Sequence, residues 1–219
     1  MNSEQVNDYI ESLYENRKLT QKQYTEATEL KDFVPVVDDD VARMLQVLIT
    51  MVKPQKVLEI GTSVGFSTVS MAKAVQPYGG KITTIEFDAK VAGQAVRNFE
   101  REMVADRIEV RIGDAREIIP LLTGEYDLIF QDVGDKELYA ALLDDCVGLL
   151  KPGGLLVAED TLFPVFEPED MGVSAGFEAE WAKMRAALAD FNKKIADCPL
   201  LESTLLPIGD GFTVAVKRG

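Results

Sequence analysis

The sequence predicts an α/β fold built on a mostly parallel sheet. From residue 56 onward, short runs rich in aliphatic and β-branched residues alternate with segments of helical periodicity. These runs are apolar almost throughout, which is typical of strands covered by helices on both faces of a sheet. Such alternation builds right-handed βαβ units, whereas Gly209-Asp210-Gly211 between the last two runs indicates an antiparallel hairpin.

The first 53 residues predict a helical extension ahead of the sheet. Apolar residues recur at helical spacing over 3–16, which predicts an amphipathic helix. The polar stretch over 17–32 allows a second helix. Acidic residues at 38–40 precede an apolar pattern that predicts a helix over 40–52, because acidic residues favour a helix N-terminus and Pro54 stops the helix.

Seven strands and five helices account for the rest of the chain. The strands are predicted at 56–60, 81–87, 108–112, 126–132, 154–160, 200–208 and 212–217. The helices between them are predicted at 65–75, 89–102, 115–122, 136–150 and 177–196. No linker, repeat or low-complexity tract is evident. We therefore expect one domain over 1–219, with the helical extension over 1–53 and the α/β core over 54–219.

The charge of the chain disfavours nucleic acid as a partner. The sequence has 37 acidic and 23 basic residues, so its net charge is −14. This charge opposes binding to a phosphate backbone. The sequence has no histidine, which excludes Ser-His-Asp and Cys-His catalysis and the zinc sites that need imidazole.

Several features of the sequence predict a cytoplasmic location. The two cysteines, Cys146 and Cys198, favour free thiols in a reducing compartment over a disulfide. No run of about 18 apolar residues is present, so we expect no membrane span. The acidic N-terminus lacks the apolar core of a secretion signal.

The segment 59–67 is the first candidate for a ligand site. It follows the first predicted strand and opens a helix, and its glycines let the backbone turn sharply and approach a ligand. A dinucleotide fingerprint would place glycines at 61, 63 and 66, but Ser63 and Phe66 occupy two of those positions. The segment therefore predicts a ligand-binding turn that is not typical of an NAD site. A tight turn that binds nothing is the alternative.

Two acidic residues follow the next two strands. Glu86 ends the second strand, where a carboxylate can accept hydrogen bonds from both hydroxyls of a ribose. Asp114 follows the third strand in the sequence Gly113-Asp114-Ala115. Its side chain could accept a hydrogen bond from an adenine amino group, cap the following helix, or do both. With the glycine turn, these residues predict a nucleoside site.

These stretches resemble class I S-adenosylmethionine (SAM)-dependent methyltransferases, and more narrowly the cation-dependent O-methyltransferases of the catechol and caffeoyl-CoA type. The matching stretches lie between residues 57 and 218 and read VLEIGTSVGFST, TTIEFD, GDA, YDLIFQD, DKELY, LLKPGG and LLPIGDGFTVAVKR. EIGTSVGFS and PIGDG are the most specific, whereas LLKPGG marks only the wider superfamily. The resemblance implies a Rossmann-like, seven-stranded, mostly parallel sheet with its last strand antiparallel and helices on both faces.

The resemblance also implies where SAM binds. Gly61, Gly65 and Ser67 would border the methionine part of SAM, and Glu86 would hold the ribose. The segment around 36–37, Val36 and Val37, would cover the cofactor. The implied site is completed by the adenine neighbours Phe87, Asp114 and Ala115, and by Glu59, Thr62, Ser63 and Asp132.

Asp132 and Asp160 end the fourth and fifth predicted strands. Because neighbouring parallel strands end at the same edge, their carboxylates would repel each other unless a cation or a proton lay between them. The resemblance implies a divalent cation such as Mg²⁺, held by two Asp and by the Asn after the second, and hard oxygen ligands suit such an ion. This chain has Thr161 in place of that Asn, so the implied metal ligands are Asp132, Asp160 and Thr161. Ordinary loop carboxylates are the alternative.

Lys136 and Asp132 are the predicted catalytic residues. The resemblance implies a lysine after Asp132, although the spacing in this chain is one residue longer. Lys136 can act as a general base if burial or nearby positive charge lowers its pKa. A surface lysine that opens a helix is the alternative.

The expected reaction is methyl transfer from SAM to a hydroxyl oxygen of a small, aromatic acceptor. Phe163, Phe166 and Trp181 could wall the acceptor pocket beside a substrate-side loop over 163–177, although Trp181 is alternatively a core residue. The resemblance also implies a homodimer. Two rival functions are methylation of hydroxyuridine in tRNA, which the net charge opposes, and SAM binding without catalysis, which Thr161 and the longer spacing favour. An aminopropyl transferase lacks support, because its acidic amine-binding motif is not evident.

Overall fold

A computed structural model of the chain describes residues 3–14, 19–168 and 176–219, and its seven strands form one sheet. The strands are β1 (Lys56–Ile60), β2 (Lys81–Glu86), β3 (Ile108–Ile112), β4 (Tyr126–Gln131), β5 (Leu150–Ala158), β6 (Leu201–Leu206) and β7 (Phe212–Lys217). Their order is β3-β2-β1-β4-β5-β7-β6. Strands β1 to β5 pair in parallel, and β7 pairs antiparallel to both β5 and β6. The predicted parallel sheet with an antiparallel last strand is confirmed.

Helices cover both faces of this sheet. In the described residues they are α1 (Ser3–Tyr14), α2 (Gln21–Glu26), α3 (Asp39–Val52), α4 (Phe66–Val75), α5 (Ala89–Arg101), α6 (Ala115–Ile118), α7 (Glu137–Ala141), α8 (Leu143–Leu149) and α9 (Glu178–Asp197). The predicted end of the first helix, at 15–16, lies outside the described residues. Among the helices that are described, none combines the length and the apolar character needed to cross a membrane.

Each face of the sheet buries its own apolar core. Successive residues of a strand point to opposite faces. Val57 of β1 therefore joins the core that α3, α4 and α5 cover, whereas Leu58 joins the core that α6 to α9 cover. This arrangement explains why the parallel strands are apolar on both faces.

Two helices are shorter than predicted. The helix predicted over 136–150 is divided into α7 and α8 at Leu142, whose backbone (φ −98°, ψ 0°) departs from regular helical values. The helix predicted over 115–122 ends at Ile118 and continues as a 3₁₀ turn. That turn holds Pro120, which lacks the N–H that would continue an α-helix.

Strand β5 begins earlier than predicted, at Leu150 rather than at residue 154. Pro152 and the two glycines after it indicate a turn in the sequence. In the structure they lie within β5, where the register against β4 shifts. Such an irregularity lets a strand take in extra residues and still pair on either side of them.

The loops that follow the first five strands meet at one edge of the sheet. Backbone N–H groups just beyond the strands donate to carbonyls at the ends of neighbouring strands. These bonds run from Gly61 to Ile85 (3.0 Å), from Gly113 to Glu86 (2.9 Å), from Asp132 to Ile60 (2.9 Å) and from Glu159 to Gln131 (3.1 Å). The candidate ligand residues therefore share the edge at which open α/β sheets bind their ligands.

Candidate active site

The turn after β1 is held tightly against the end of β4. Gly61 has a φ of +97°, and a Cβ atom there would lie 1.7 Å from the carbonyl oxygen of Asp132. Gly65 has a φ of +92°, and a Cβ atom there would lie 2.3 Å from the ring of Phe99. Both glycines are therefore required by contacts within the chain itself, before any ligand is considered.

Glu59 lies beneath this turn and is fully buried. Its carboxylate accepts hydrogen bonds from the hydroxyls of Ser67 (2.6 Å), Thr68 (2.5 Å) and Thr84 (2.7 Å). Burial raises the pKa of Glu59 to about 7, although the three hydroxyl donors oppose this effect. Glu59 and Ser67 were predicted to bind the cofactor, but their side chains face each other below the turn, where they fix its shape.

Glu86 joins the end of β2 to the same turn. One carboxylate oxygen accepts from the backbone N–H groups of Thr62 (3.2 Å) and Ser63 (2.9 Å), and the other accepts from Asp88 (3.0 Å). Thr62 meets Glu86 through its backbone only, because its hydroxyl shares a hydrogen bond with Thr84 (2.6 Å). A carboxylate has about four acceptor positions, so Glu86 retains acceptor capacity for a ligand hydroxyl.

The ends of β2 and β3 carry the residues predicted to surround an adenine. Asp114 caps α6 by accepting from the backbone N–H of Arg116 (2.8 Å), so the helix-cap alternative is correct. The guanidinium of Arg116 also lies 3.2 Å from Asp114 and 2.8 Å from Asp135, and it links the loops after β3 and β4. Phe87 has 76% of its surface exposed, whereas Ala115 is buried. The exposed Phe87 ring is available to stack on a flat ligand.

Three carboxylates after β4 and β5 form what we call the acidic cluster, namely Asp132, Glu159 and Asp160. One oxygen from each lies within 4.8 Å of the others. The Lys136 ammonium forms an ion pair with Asp160 and donates to the carbonyl oxygen of Val133 (2.7 Å). Only 6% of Lys136 is exposed, so it is not a surface lysine.

Burial and mutual repulsion shift the pKa of two members of the acidic cluster, Asp132 and Glu159. Burial, together with the charge of Asp160, raises the pKa of Asp132 to about 7 and raises that of Glu159 well above its usual range. Burial alone would lower the pKa of Lys136, but the Asp160 and Asp132 carboxylates outweigh it and raise that pKa. The lowered pKa that a lysine general base requires is therefore not present.

Comparisons with known proteins identify the family. A sequence profile described as O-methyltransferase matches residues 3–218. The chain belongs to the O-methyltransferase family. The resemblance noted in the sequence is confirmed, and the chain is an enzyme of this family.

This O-methyltransferase has relatives among plant and bacterial enzymes. It is 30% identical to caffeoyl-CoA O-methyltransferase 5 of Nicotiana tabacum, over 80% of this chain and 74% of that protein. It is 34% identical to the catechol O-methyltransferase of Niastella koreensis, over 58% of each chain.

Solved structures show the same architecture. The O-methyltransferase from Bacillus cereus, in complex with S-adenosylhomocysteine (SAH), has a TM-score of 0.79 and 25% identity over 97% of each chain. A SAH-bound methyltransferase from Podospora anserina has a TM-score of 0.85 over 100% of this chain and 97% of its own. At 22% identity, that second likeness shows the fold alone.

The hydroxyl of Thr161, a predicted metal ligand, meets a second hydroxyl in this O-methyltransferase. The Thr161 hydroxyl lies 3.0 Å from that of Thr213 on β7, and the residue is fully buried. Glu159 contributes a third carboxylate to the acidic cluster. The sequence analysis treated Glu159 as an ordinary part of the fifth strand. The signal that it missed was a second acidic residue directly before Asp160, at the end of an otherwise apolar strand.

The predicted acceptor pocket is partly core. Trp181 is 4% exposed and its ring packs on Phe163 at a centroid distance of 4.8 Å, in the core that α9 covers, as the alternative held. Phe166 packs against the same core. Residues 169–175 of the predicted substrate-side loop lie outside the described residues.

A segment from the N-terminal part of the O-methyltransferase reaches over the glycine turn. The Ser63 hydroxyl donates to the carbonyl oxygen of Val34 (2.7 Å), and Val34 also lies beside Gly134 of the loop after β4. Val37 is buried in the core, and Val36 packs against it. Val34, rather than Val36 or Val37, therefore makes the described contact with the turn.

Proposed function

We propose that this O-methyltransferase transfers the methyl group of SAM to a hydroxyl oxygen of a small, aromatic, catechol-like acceptor. The observation that supports the proposal is the position of Asp132, which contacts the glycine turn through its backbone and belongs to the acidic cluster through its side chain. Its backbone N–H donates to Ile60, and its carbonyl packs against Gly61 of the turn that Glu86 also holds. Its side chain belongs to the acidic cluster. A nucleoside-type site and a proton-accepting site therefore adjoin each other.

The SAM side of the site would be built on β1, β2 and β3. Glu86 would accept a hydrogen bond from a ribose hydroxyl through its one remaining acceptor position. Phe87 would stack on the adenine, beside Asp114 and Ala115. The turn residues Gly61, Thr62, Ser63 and Gly65 would border the methionine part, over the support that Glu59 and Ser67 provide.

The acceptor side would be built on the acidic cluster. SAM supplies a methyl group that its sulfonium already activates, so the protein has mainly to position the acceptor oxygen and manage its proton. Asp132, with a pKa of about 7, would take that proton near neutral pH. Lys136 would keep its own proton and stabilise negative charge on the oxygen.

A divalent cation such as Mg²⁺ fits the type of donor that the acidic cluster offers. Asp132, Glu159 and Asp160 would hold it through hard carboxylate oxygens. When bound, such an ion would lower the pKa of the acceptor hydroxyl and orient it. Lys136, however, already engages one of the three carboxylates.

The wider organisation of the enzyme is part of the proposal. The helical extension and the α/β core would form one domain, because α3 shares its apolar core with α4 and the sheet. Two copies would associate through α1 and α3, which expose the apolar side chains of Tyr9, Leu13, Val47 and Met51. The free thiols of Cys146 and Cys198 support a cytoplasmic location.

The test combines binding with turnover. SAH is titrated into the protein in a calorimeter, and radiolabelled SAM is then supplied with a panel of catechols, monophenols and caffeoyl esters. We expect SAH binding and methyl transfer to the catechols. Binding without transfer to any acceptor would contradict the proposed reaction, and absent SAH binding would contradict the cofactor site as well.

A further inference from the structure

We infer that the Lys136 ammonium is a tethered cation of the acidic cluster, which competes with a divalent metal ion for Asp160 and weakens metal binding. The inference rests on the proposed function only in taking the acidic cluster as the acceptor site. According to this inference, the Lys136 side chain supplies the positive charge of that site.

The ammonium is held on several sides. It pairs with the Asp160 carboxylate and donates to the Val133 carbonyl oxygen at 2.7 Å. It also lies 5.3 Å from the ring centroid of Tyr139 and 5.4 Å from that of Phe163, within the range of a cation–π contact. A side chain with these partners is a fixed part of the site.

A metal ion and this ammonium cannot both use Asp160 without cost. The three cluster oxygens lie within 4.8 Å of one another, so an ion bound among them would lie close to the lysine nitrogen. Two positive charges at such a separation repel strongly in a partly buried site. An ion that binds among all three carboxylates therefore requires Lys136 to give up its pairing with Asp160.

The chain offers no replacement ligand at the position predicted for one. The Thr161 hydroxyl is already engaged, because it lies 3.0 Å from the hydroxyl of Thr213. The ammonium can itself supply the positive charge that faces the acceptor oxygen. We therefore expect methyl transfer to continue in the presence of a chelator.

The decisive experiment measures Mn²⁺ binding by electron paramagnetic resonance, in the unaltered enzyme and in Lys136→Met. The variant should bind Mn²⁺ at least tenfold more tightly, because the competing charge is gone. Lys183→Met is the matched control. The Lys183 amine pairs with Glu137 at 3.1 Å outside the cluster, so this variant should match the unaltered enzyme. An affinity of Lys136→Met within twofold of the unaltered enzyme, or a weaker one, would overturn the inference.

A second measurement needs no substitution at Lys136. In enzyme labelled with ¹⁵N at lysine side chains, a buried and paired ammonium should give an amine signal protected from solvent exchange. A Mg²⁺ titration should leave that signal in place at concentrations well below the Mg²⁺ dissociation constant and abolish it once the site is saturated. Coexistence of the unshifted signal with a fully occupied metal site would refute the competition. Absence of methyl transfer would contradict the proposed function, while these binding data would still decide the competition.

Discussion

Glu59 should make the stability of the enzyme fall as the pH rises through the weakly acidic range. Its carboxyl is fully buried and its pKa is about 7, against an ordinary value of 4.5. Between these two pH values the folded protein holds a proton that the unfolded chain has released. The free energy of unfolding therefore decreases with rising pH across this window, and the loss is complete above pH 7.

The size of the effect follows from the two pKa values. Each tenfold change in a protonation equilibrium is worth about 1.4 kcal/mol, so a rise from 4.5 to about 7 corresponds to about 3 kcal/mol. Glu59→Gln removes the titration and nearly keeps the shape of the side chain. The hydroxyls of Ser67, Thr68 and Thr84 can rotate to accept from the new amide group.

The assay is urea unfolding of both proteins at pH 4.5 and at pH 8, followed by circular dichroism. Asp132, Glu159 and Asp210 also have raised pKa values, but they titrate in both proteins, and only the part of the Asp132 shift that the Glu59 charge causes differs between them. We expect the unaltered enzyme to lose about 3 kcal/mol relative to Glu59→Gln between the two pH values. If both proteins lose the same free energy of unfolding between pH 4.5 and pH 8, the assignment of a protonated, buried Glu59 is refuted.

Three further predictions concern the ends of the strands. Glu86→Ala should weaken SAH binding about ten- to a hundredfold in calorimetry, because it removes a charged hydrogen-bond acceptor, whereas Glu109→Ala on β3 should leave the affinity unchanged. Equal SAH affinities of Glu86→Ala and the unaltered enzyme would contradict the ribose role. Gly61→Ala should lower the melting temperature even without ligand, because its Cβ meets the Asp132 carbonyl oxygen, whereas Gly148→Ala should not, because a Cβ there has no neighbour within 4 Å. An unchanged melting temperature of Gly61→Ala would show that this contact relaxes freely. Turnover should increase as the pH rises through about 7, the pKa of Asp132, and Asp132→Asn should lower turnover about 10²–10⁴-fold with little change in SAH affinity. If Asp132→Asn leaves the pH profile unchanged, another group accepts the proton of the acceptor hydroxyl.

The sequence by itself determined the architecture and the location of the site. Strands and helices alternate because each parallel strand needs a crossover, and that pattern is visible in local periodicity. The hairpin around Asp210 was likewise a local signal. Element ends were less well predicted at Leu142 and Leu150, because packing and strand register decide them.

The chemistry at the strand ends was decided by tertiary structure. Residue spacing indicates which side chains reach the edge of the sheet, but not where each one points or what it meets. The Thr161 hydroxyl meets that of Thr213 on the last strand, and Glu159 contributes a third carboxylate to the acidic cluster. The protonation of Lys136 depends on burial and on the Asp160 charge, which come together only in the folded chain.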